Sequence, residues 1–271
     1  MLKLIVSDLD GTLLDDKKSL PDDFGLLLDK LTQKGILFAT ASGRTYTTQK
    51  ALFANYCKEM LFICDNGAYI VENSTTTFVS VINETEWKRT VIFIESNIPE
   101  AVTILCGING TYCKDYRNSK AVSEILSVNY VGLEFVDNLI DVNDSIFKIS
   151  VCQPYKAKET LLPLLSEYCT GKIKALHTDP SFVDVMNSAI SKGQAVEFLQ
   201  IKHNISKRET MIFGDYYNDI EMLKQADLSY VMENSPVDMK KYGKYLAPSN
   251  NDFGVVAVIN DYLKDEKCEI L

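Results

Sequence analysis

Leu2, Leu4, Ile5 and Val6 run directly into Asp8-Leu9-Asp10-Gly11-Thr12, and no other stretch limits the fold so tightly. An apolar run of this length, bounded by a Gly-containing turn, is the pattern of a buried strand in a parallel sheet. In open α/β sheets, ligands gather beyond the carboxyl ends of the strands. Two carboxylates placed there, two residues apart, can hold a hard divalent cation through oxygen ligands. Asp and Gly are also ordinary turn formers, so taken alone the stretch fits a plain turn equally well. Later stretches at other strand ends tip the balance.

The rest of the chain repeats this rhythm on both sides of a long interruption. Apolar residues at 24, 27, 28 and 31 predict a helix over Pro21 to Gln33, closed by Gly35. A buried strand over 36–40 leads into Ala41-Ser42-Gly43-Arg44, a helix follows over 45–53, and a third strand over 61–64 ends in Asp65-Asn66-Gly67-Ala68. Strand, helix and strand at this pitch imply βαβ units with right-handed crossovers. From about residue 80 hairpins mix with helices. Asn109-Gly110 is a strong hairpin signal between strands over 101–106 and 111–113. Helices are expected over 84–97, 119–128 and 156–168, and strands over 78–82, 145–152, 172–177 and 181–186. From Lys192 the α/β rhythm resumes, with strands over 211–213, 228–231 and 245–247 and a closing helix over 253–263. The fold class is therefore α/β. A doubly wound, mainly parallel Rossmann-like core (1–81 and 188–271) carries an inserted α+β domain (82–187).

Bulk properties exclude several functions. A net charge of −9 and a pI near 4.9 argue against a nucleic-acid partner, which would need a basic surface. An anionic substrate would need local Lys, Arg or metal to receive it. The seven Cys are irregularly spaced without a Cys-x-x-Cys pair, so they read as small buried hydrophobes in a reducing compartment. No stretch reads as a signal peptide or a membrane span, which points to a cytoplasmic protein. Two His residues supply little for histidine chemistry. Oligomeric state is not legible, and a monomer is compatible with the sequence.

The polar strand ends suit phosphoryl transfer, which needs positioning and charge neutralisation more than unusual groups. Asp8 is the candidate nucleophile, attacking phosphorus to give an aspartyl-phosphate. Asp10 is the candidate acid and base, protonating the leaving oxygen and then activating water. That division of labour requires Asp8 ionised beside a metal while Asp10 can carry a proton. Thr12 can hydrogen-bond within the loop. Ser42-Gly43, read as opening a helix, offers a hydroxyl and a free N–H for phosphate, or a plain helix cap. Arg44 fits a surface pair better than a phosphate contact. Lys192 can neutralise a transferring phosphoryl group. In Gly214-Asp215-Tyr216-Tyr217-Asn218-Asp219, Asp215 can share a Mg²⁺ ion with Asp8 and the backbone carbonyl of Asp10. Asn218 can reach phosphate. Asp219 can brace Lys192 or a metal-bound water, or cap the following helix.

Asp8-Leu9-Asp10-Gly11-Thr12, Ser42-Gly43-Arg44, Lys192-Gly193 and Gly214-Asp215-x-x-Asn218-Asp219 together resemble, in order, the motifs of haloacid dehalogenase-like phosphatases. Asn66-Gly67-Ala68 is similar to a motif of the Cof-type branch, subfamily IIB, and the long insertion after Ser42 is placed like that branch's α/β cap. The resemblance covers the whole chain. It implies Mg²⁺-dependent hydrolysis of small phosphate monoesters such as sugar phosphates, nucleotides or phosphorylated cofactors. It also implies a backbone contact from Leu9 to phosphate, and a cap that sets specificity. One departure is Met232-Glu233-Asn234-Ser235, where relatives commonly have Met-Gly-Asn-Ala. Two further readings are a phosphomutase of the same fold and a non-catalytic phospholigand sensor. Retention of Asp8, Asp10, Lys192 and Asp215 together disfavours the sensor. Tyr112, Lys114, Arg117, His177 and Asn187 are polar candidates within the insertion.

Overall fold

The structure, a computed structural model, describes residues 1–130 and 132–268. The opening elements are β1 (Leu4–Ser7), α1 (Phe24–Gln33), β2 (Leu37–Ala41), α2 (Tyr46–Leu52), β3 (Met60–Cys64), β4 (Tyr69–Glu72) and β5 (Thr75–Val79). The inserted ones are α3 (Glu84–Asn97), β6 (Val102–Gly107), β7 (Thr111–Cys113), α4 (Lys120–Asn129), β8 (Leu133–Phe135), β9 (Ile146–Cys152), α5 (Leu162–Tyr168), β10 (Ile173–Asp179) and β11 (Phe182–Asn187). The chain closes with α6 (Lys192–His203), β12 (Thr210–Gly214), α7 (Ile220–Leu223), β13 (Leu228–Met232), β14 (Tyr245–Ala247) and α8 (Gly254–Cys268).

These elements form two units, Met1–Thr77 with Ser191–Leu271, and Phe78–Ile190. The expected boundaries at 81/82 and 187/188 fall instead at 77/78 and 190/191. Ile82 donates its N–H to the Ile146 carbonyl at 2.7 Å, and the Ile190 carbonyl accepts from Lys174 Nζ.

An eight-stranded sheet in the order β14-β13-β12-β1-β2-β3-β4-β5 organises the first unit. Its pairings are parallel from β14 through β3, and β4 runs antiparallel to β3. The β1 run Leu4-Ile5-Val6 is fully buried, as expected of a strand covered on both faces. Phe24 from α1 packs edge-on against Phe38 of β2 at 5.5 Å between centroids, and Phe53 packs on Phe62 of β3. This layer fixes the angle at which β2 and β3 deliver their C-terminal loops. The chain winds from β1 to β2 on one side and places β12 on the other, so the strand order reverses at β1. Ligands of doubly wound sheets bind at such a switch point.

The insertion is a six-stranded sheet in the order β10-β11-β9-β6-β7-β8, antiparallel except for β7 with β8. Helices α3 and α5 and the turn before α5 contribute Trp87, Val91, Ile94, Leu165 and Leu161 to the core of this unit. Two strands were not expected. β4 is joined to β5 through Asn73 and Ser74, both at positive φ (49° and 61°), a tight turn made without the Gly that usually signals it. β8 is three residues long and mostly exposed, too short for a period to show. The expected helix over 156–168 is a wide turn over 157–161 followed by α5, with Pro163 in the first helical turn.

Candidate active site

Five sheet strands deliver polar residues to one end of the first unit. After β1 the chain folds over itself. Leu13 and Leu14 donate their N–H groups to the Asp8 and Leu9 carbonyls, and Gly11 takes φ +83°. A Cβ on Gly11 would stand 2.4 Å from Asp215 Oδ2, so this turn admits only glycine. Leu9 is fully buried, which leaves only its backbone to face a ligand.

Lys192, 1% exposed, sits in the first turn of α6 behind its N-cap Ser191. Its Nζ lies 2.5 Å from Asp8 Oδ1 and 2.7 Å from Asp219 Oδ1. Burial opposes its charge, but the two carboxylates outweigh burial and raise its pKa. Asp219, 0% exposed, is held from its other side. Its Oδ2 accepts the N–H groups of Asp215 and Tyr216 at 3.0 and 3.1 Å. Asp219 therefore braces Lys192 and closes the 215–219 turn, and its side chain does not cap α7. Thr12 donates its hydroxyl to Asp215 Oδ1 at 3.1 Å.

The two leading carboxylates sit in unlike electrostatic environments. Burial pushes Asp8 well above the ordinary aspartate range; Lys192 pulls it down, while Asp219 and Asp215 push it further up. Asp215 is raised to about 6, by burial and then by Asp219. Asp10 instead faces Arg44, which donates from Nε and Nη2 at 2.8 and 2.6 Å, and Lys18 at 2.7 Å. Burial opposes the charge on Asp10, yet Arg44 and Lys18 outweigh it and hold the carboxyl below its ordinary range. Arg44 is thus neither a surface pair nor aimed at phosphate. It is a bidentate clamp on Asp10.

Asp8, Asp215 and Asp219 have oxygens within 4.8 Å of one another. The Asp219 oxygens are already engaged by Lys192 and two N–H groups, so Asp8 and Asp215 are the pair open to a cation. Both carry raised pKa values from crowding and burial, and one ammonium does not neutralise them. This donor set, all hard oxygen and under-neutralised, fits Mg²⁺. The Asp10 carboxylate is engaged elsewhere, which leaves its carbonyl as its contribution to a metal.

Ser42 and Gly43 do not open a helix. Thr45 is the N-cap of α2, its hydroxyl accepting the Thr48 N–H at 3.3 Å, so Ser42-Gly43 form the turn that precedes it. Ser42 is buried, and its Oγ accepts the Arg44 N–H at 3.2 Å. Asn218 donates from Nδ2 to Asn66 Oδ1 at 3.2 Å, so its amide is held by a residue to which the sequence gave no role. Asn234 was likewise missed as a site residue. It donates to the Gly11 carbonyl at 2.8 Å and accepts from the Asn250 N–H at 3.1 Å. Its place just past β13, level with the other strand ends, was the available signal. Glu233 beside it is exposed and not at positive φ, so the backbone there does not need glycine.

In the second unit, four of the five polar candidates serve local structure. Tyr112 donates to Asp144, Lys114 pairs with Glu95, Arg117 pairs with Asp115 over the Phe135 ring, and Asn187 accepts from the Ala189 N–H. The fifth, half-buried His177, has an Nε2 without a hydrogen-bond partner among the described residues.

Residues 5–259 match the haloacid dehalogenase-like hydrolases. The chain belongs to that family. Within it the chain is of the Cof type. It is similar to the 5-amino-6-(5-phospho-D-ribitylamino)uracil phosphatase YbjI of Escherichia coli, at 31% identity over 98% of this chain and 97% of the relative. It is also similar to the phosphatase YcsE of Bacillus subtilis, which carries the same activity name, at 23% identity over 97% of this chain and 96% of the relative. Among solved structures, SMU.1108c of Streptococcus mutans superposes with a TM-score of 0.86 at 29% identity, over 97% of this chain and all of that one. This haloacid dehalogenase-like chain is an enzyme, a phosphatase. No helix among its described residues is long and apolar enough to cross a membrane.

Proposed function

We propose that the chain is a Mg²⁺-dependent phosphatase that hydrolyses small phosphate monoesters through an aspartyl-phosphate on Asp8. The observation that carries this reading is the buried Asp8–Lys192–Asp219 chain with Asp215 alongside. When bound by Asp8 and Asp215, Mg²⁺ supplies positive charge that keeps Asp8 ionised and offsets charge on the phosphoryl oxygens.

The chain's own residues do the remainder. The Leu9 N–H, the Ser42-Gly43 turn, Lys192 and Asn218 receive the phosphoryl oxygens, and an Asp8 oxygen attacks phosphorus in line with the leaving oxygen. Lys192 Nζ, anchored by Asp219, neutralises equatorial charge without itself moving. Asp10 carries a proton to the leaving oxygen, then takes one from the water that cleaves the aspartyl-phosphate. The Arg44 clamp leaves Asp10 anionic until it turns toward substrate, so Asp10 must exchange Arg44 for a proton before acting as the acid.

As to substrate, a phosphorylated ribityl-pyrimidine, the ester named for both the Escherichia coli and Bacillus subtilis relatives, heads the class to test. Phosphate release should be followed for that ester, sugar phosphates, nucleotides and phosphorylated cofactors, with Mg²⁺ and with chelator. Release that requires both metal and Asp8, and disappears in Asp8→Asn, is the expected result. Full activity of Asp8→Asn in a folded protein would overturn the mechanism. Isomerised sugar phosphate without free phosphate would replace it with a mutase.

A further inference from the structure

Asn66 lies where three of the phosphate-site stretches meet, all within the first unit. It follows β3 in the turn Asp65-Asn66-Gly67, whose residues all have positive φ (50°, 53° and 101°). Asn and Asp tolerate this left-handed region better than other side chains, but two in succession are uncommon. The turn is pinned on each side. The Asp65 N–H donates to the Arg44 carbonyl at 3.1 Å, and the Asn66 N–H to the Ser42 carbonyl at 2.9 Å. Gly67 lies so close to the Ser191 carbonyl that a Cβ would approach it to 2.4 Å. The backbone of Asn66 is thereby tied to the Ser42-Gly43 turn and set beside the residue that precedes Lys192.

Its side chain is 3% exposed, and its two ends do different things. Oδ1 accepts from Asn218 Nδ2 at 3.2 Å. Nδ2 leans over Gly43, where it would stand 3.1 Å from a Cβ placed on that residue. The amide thus stands between Gly43 and Asn218, two groups assigned to phosphate.

We propose that Asn66 is a phosphate-binding residue of this enzyme, its Nδ2 donating to the substrate phosphoryl group while its Oδ1 orients Asn218. The inference rests on the phosphatase reading above and adds a residue to that site. It explains why Gly43 lacks a side chain: any Cβ there would press on the Asn66 amide. It also explains why the turn adopts an unfavourable backbone, since φ near +53° is what carries the amide back over Gly43.

The test uses two variants that keep the backbone, Asn66→Gly, which accepts positive φ, and Asn66→Asp, which keeps the shape and Oδ1 but replaces the donor with an anion. The probe is inorganic phosphate, measured as a competitive inhibitor at saturating Mg²⁺. A hydrogen bond to a charged group is worth a factor of about ten or more. Asn66→Gly should therefore weaken phosphate inhibition about tenfold and raise KM in parallel, and Asn66→Asp should weaken it further. Gly and Asp variants that both bind phosphate within about twofold of the parent would overturn the proposal. A direct contact also requires Asn66→Gly to weaken phosphate binding further in an Asn218→Ala background. No further loss there would overturn the contact and leave Asn66 acting only through Asn218. A parent enzyme that releases no phosphate from any ester would instead sink the phosphatase reading itself.

Discussion

At the scale of single residues, the site is a problem of charge balance, and Lys192 sits at its centre. Among the described residues it is the one cation bonded to the buried Asp8 and Asp219, with Asp215 close by. Removing one partner of a buried ion pair costs several kcal/mol, because the charge left behind is neither solvated nor paired. Lys192→Met should therefore lower stability in metal-free buffer by about 3 kcal/mol, and Mg²⁺ should restore part of that loss by neutralising the same carboxylates. Urea unfolding with and without Mg²⁺ checks this, and an equal loss in both conditions would contradict it. Turnover should fall by about a hundredfold or more, since one pre-placed charge facing the phosphoryl group is lost. That Asp8, Lys192, Asp215 and Asp219 converge was legible in the sequence because Asp8 and the 215–219 stretch follow strands and Lys192 opens a helix. Their protonation was not. The low pKa of Asp10 depends on Arg44 and Lys18, and nothing in the spacing of residues 10, 18 and 44 shows that three side chains converge. Asn66 and Asn234 were given no site role for a related reason: amides in turns are common, and only the fold sets Asn66 against Asn218 and Asn234 against the Gly11 carbonyl.

At the scale of elements, the sequence was most informative where a period is long and least where a loop is stapled by side chains. Helix α3 occupies the residues expected of it, with Asn83 capping its start and Trp87, Val91 and Ile94 recurring on its buried face. The β6–β7 hairpin was found from Asn109-Gly110, but what holds it was not. Asp144, far along the chain, accepts from the Asn109 and Gly110 N–H groups, the Asn109 side chain and the Tyr112 hydroxyl. Burial and then Asp144 push Tyr112 up to about 12 from an ordinary 10.0. The folded unit thus keeps a proton that the unfolded chain releases earlier. The contribution of Tyr112 is complete below pH 10.0 and is lost as pH rises through about 12. The gap in urea midpoint between the parent and Tyr112→Phe should narrow from pH 8 to pH 11. A gap that stays constant would show that the hydroxyl–Asp144 bond contributes nothing to folding.

For the whole molecule, α/β layering with an α+β insertion followed from the change in rhythm near residue 80, while the ends of the insertion lay a few residues outside those expected, because no Gly or Pro marks either junction. Net charge is the property that no single element reveals. A chain of −9 repels a dianionic ester at long range and attracts Mg²⁺, whereas Lys192 and the bound cation act only within the site. Salt screens the long-range part over a Debye length of about 8 Å at physiological ionic strength and leaves buried contacts nearly untouched. The two ligands should therefore respond to added KCl with opposite sign. Between low and physiological salt, kcat/KM for a small phosphate ester at saturating Mg²⁺ should rise, by less than about threefold since only encounter is affected. Over the same range the apparent Mg²⁺ affinity should fall. If kcat/KM fell with salt instead, a local cationic field, and not the net charge, would govern how the ester reaches Asp8.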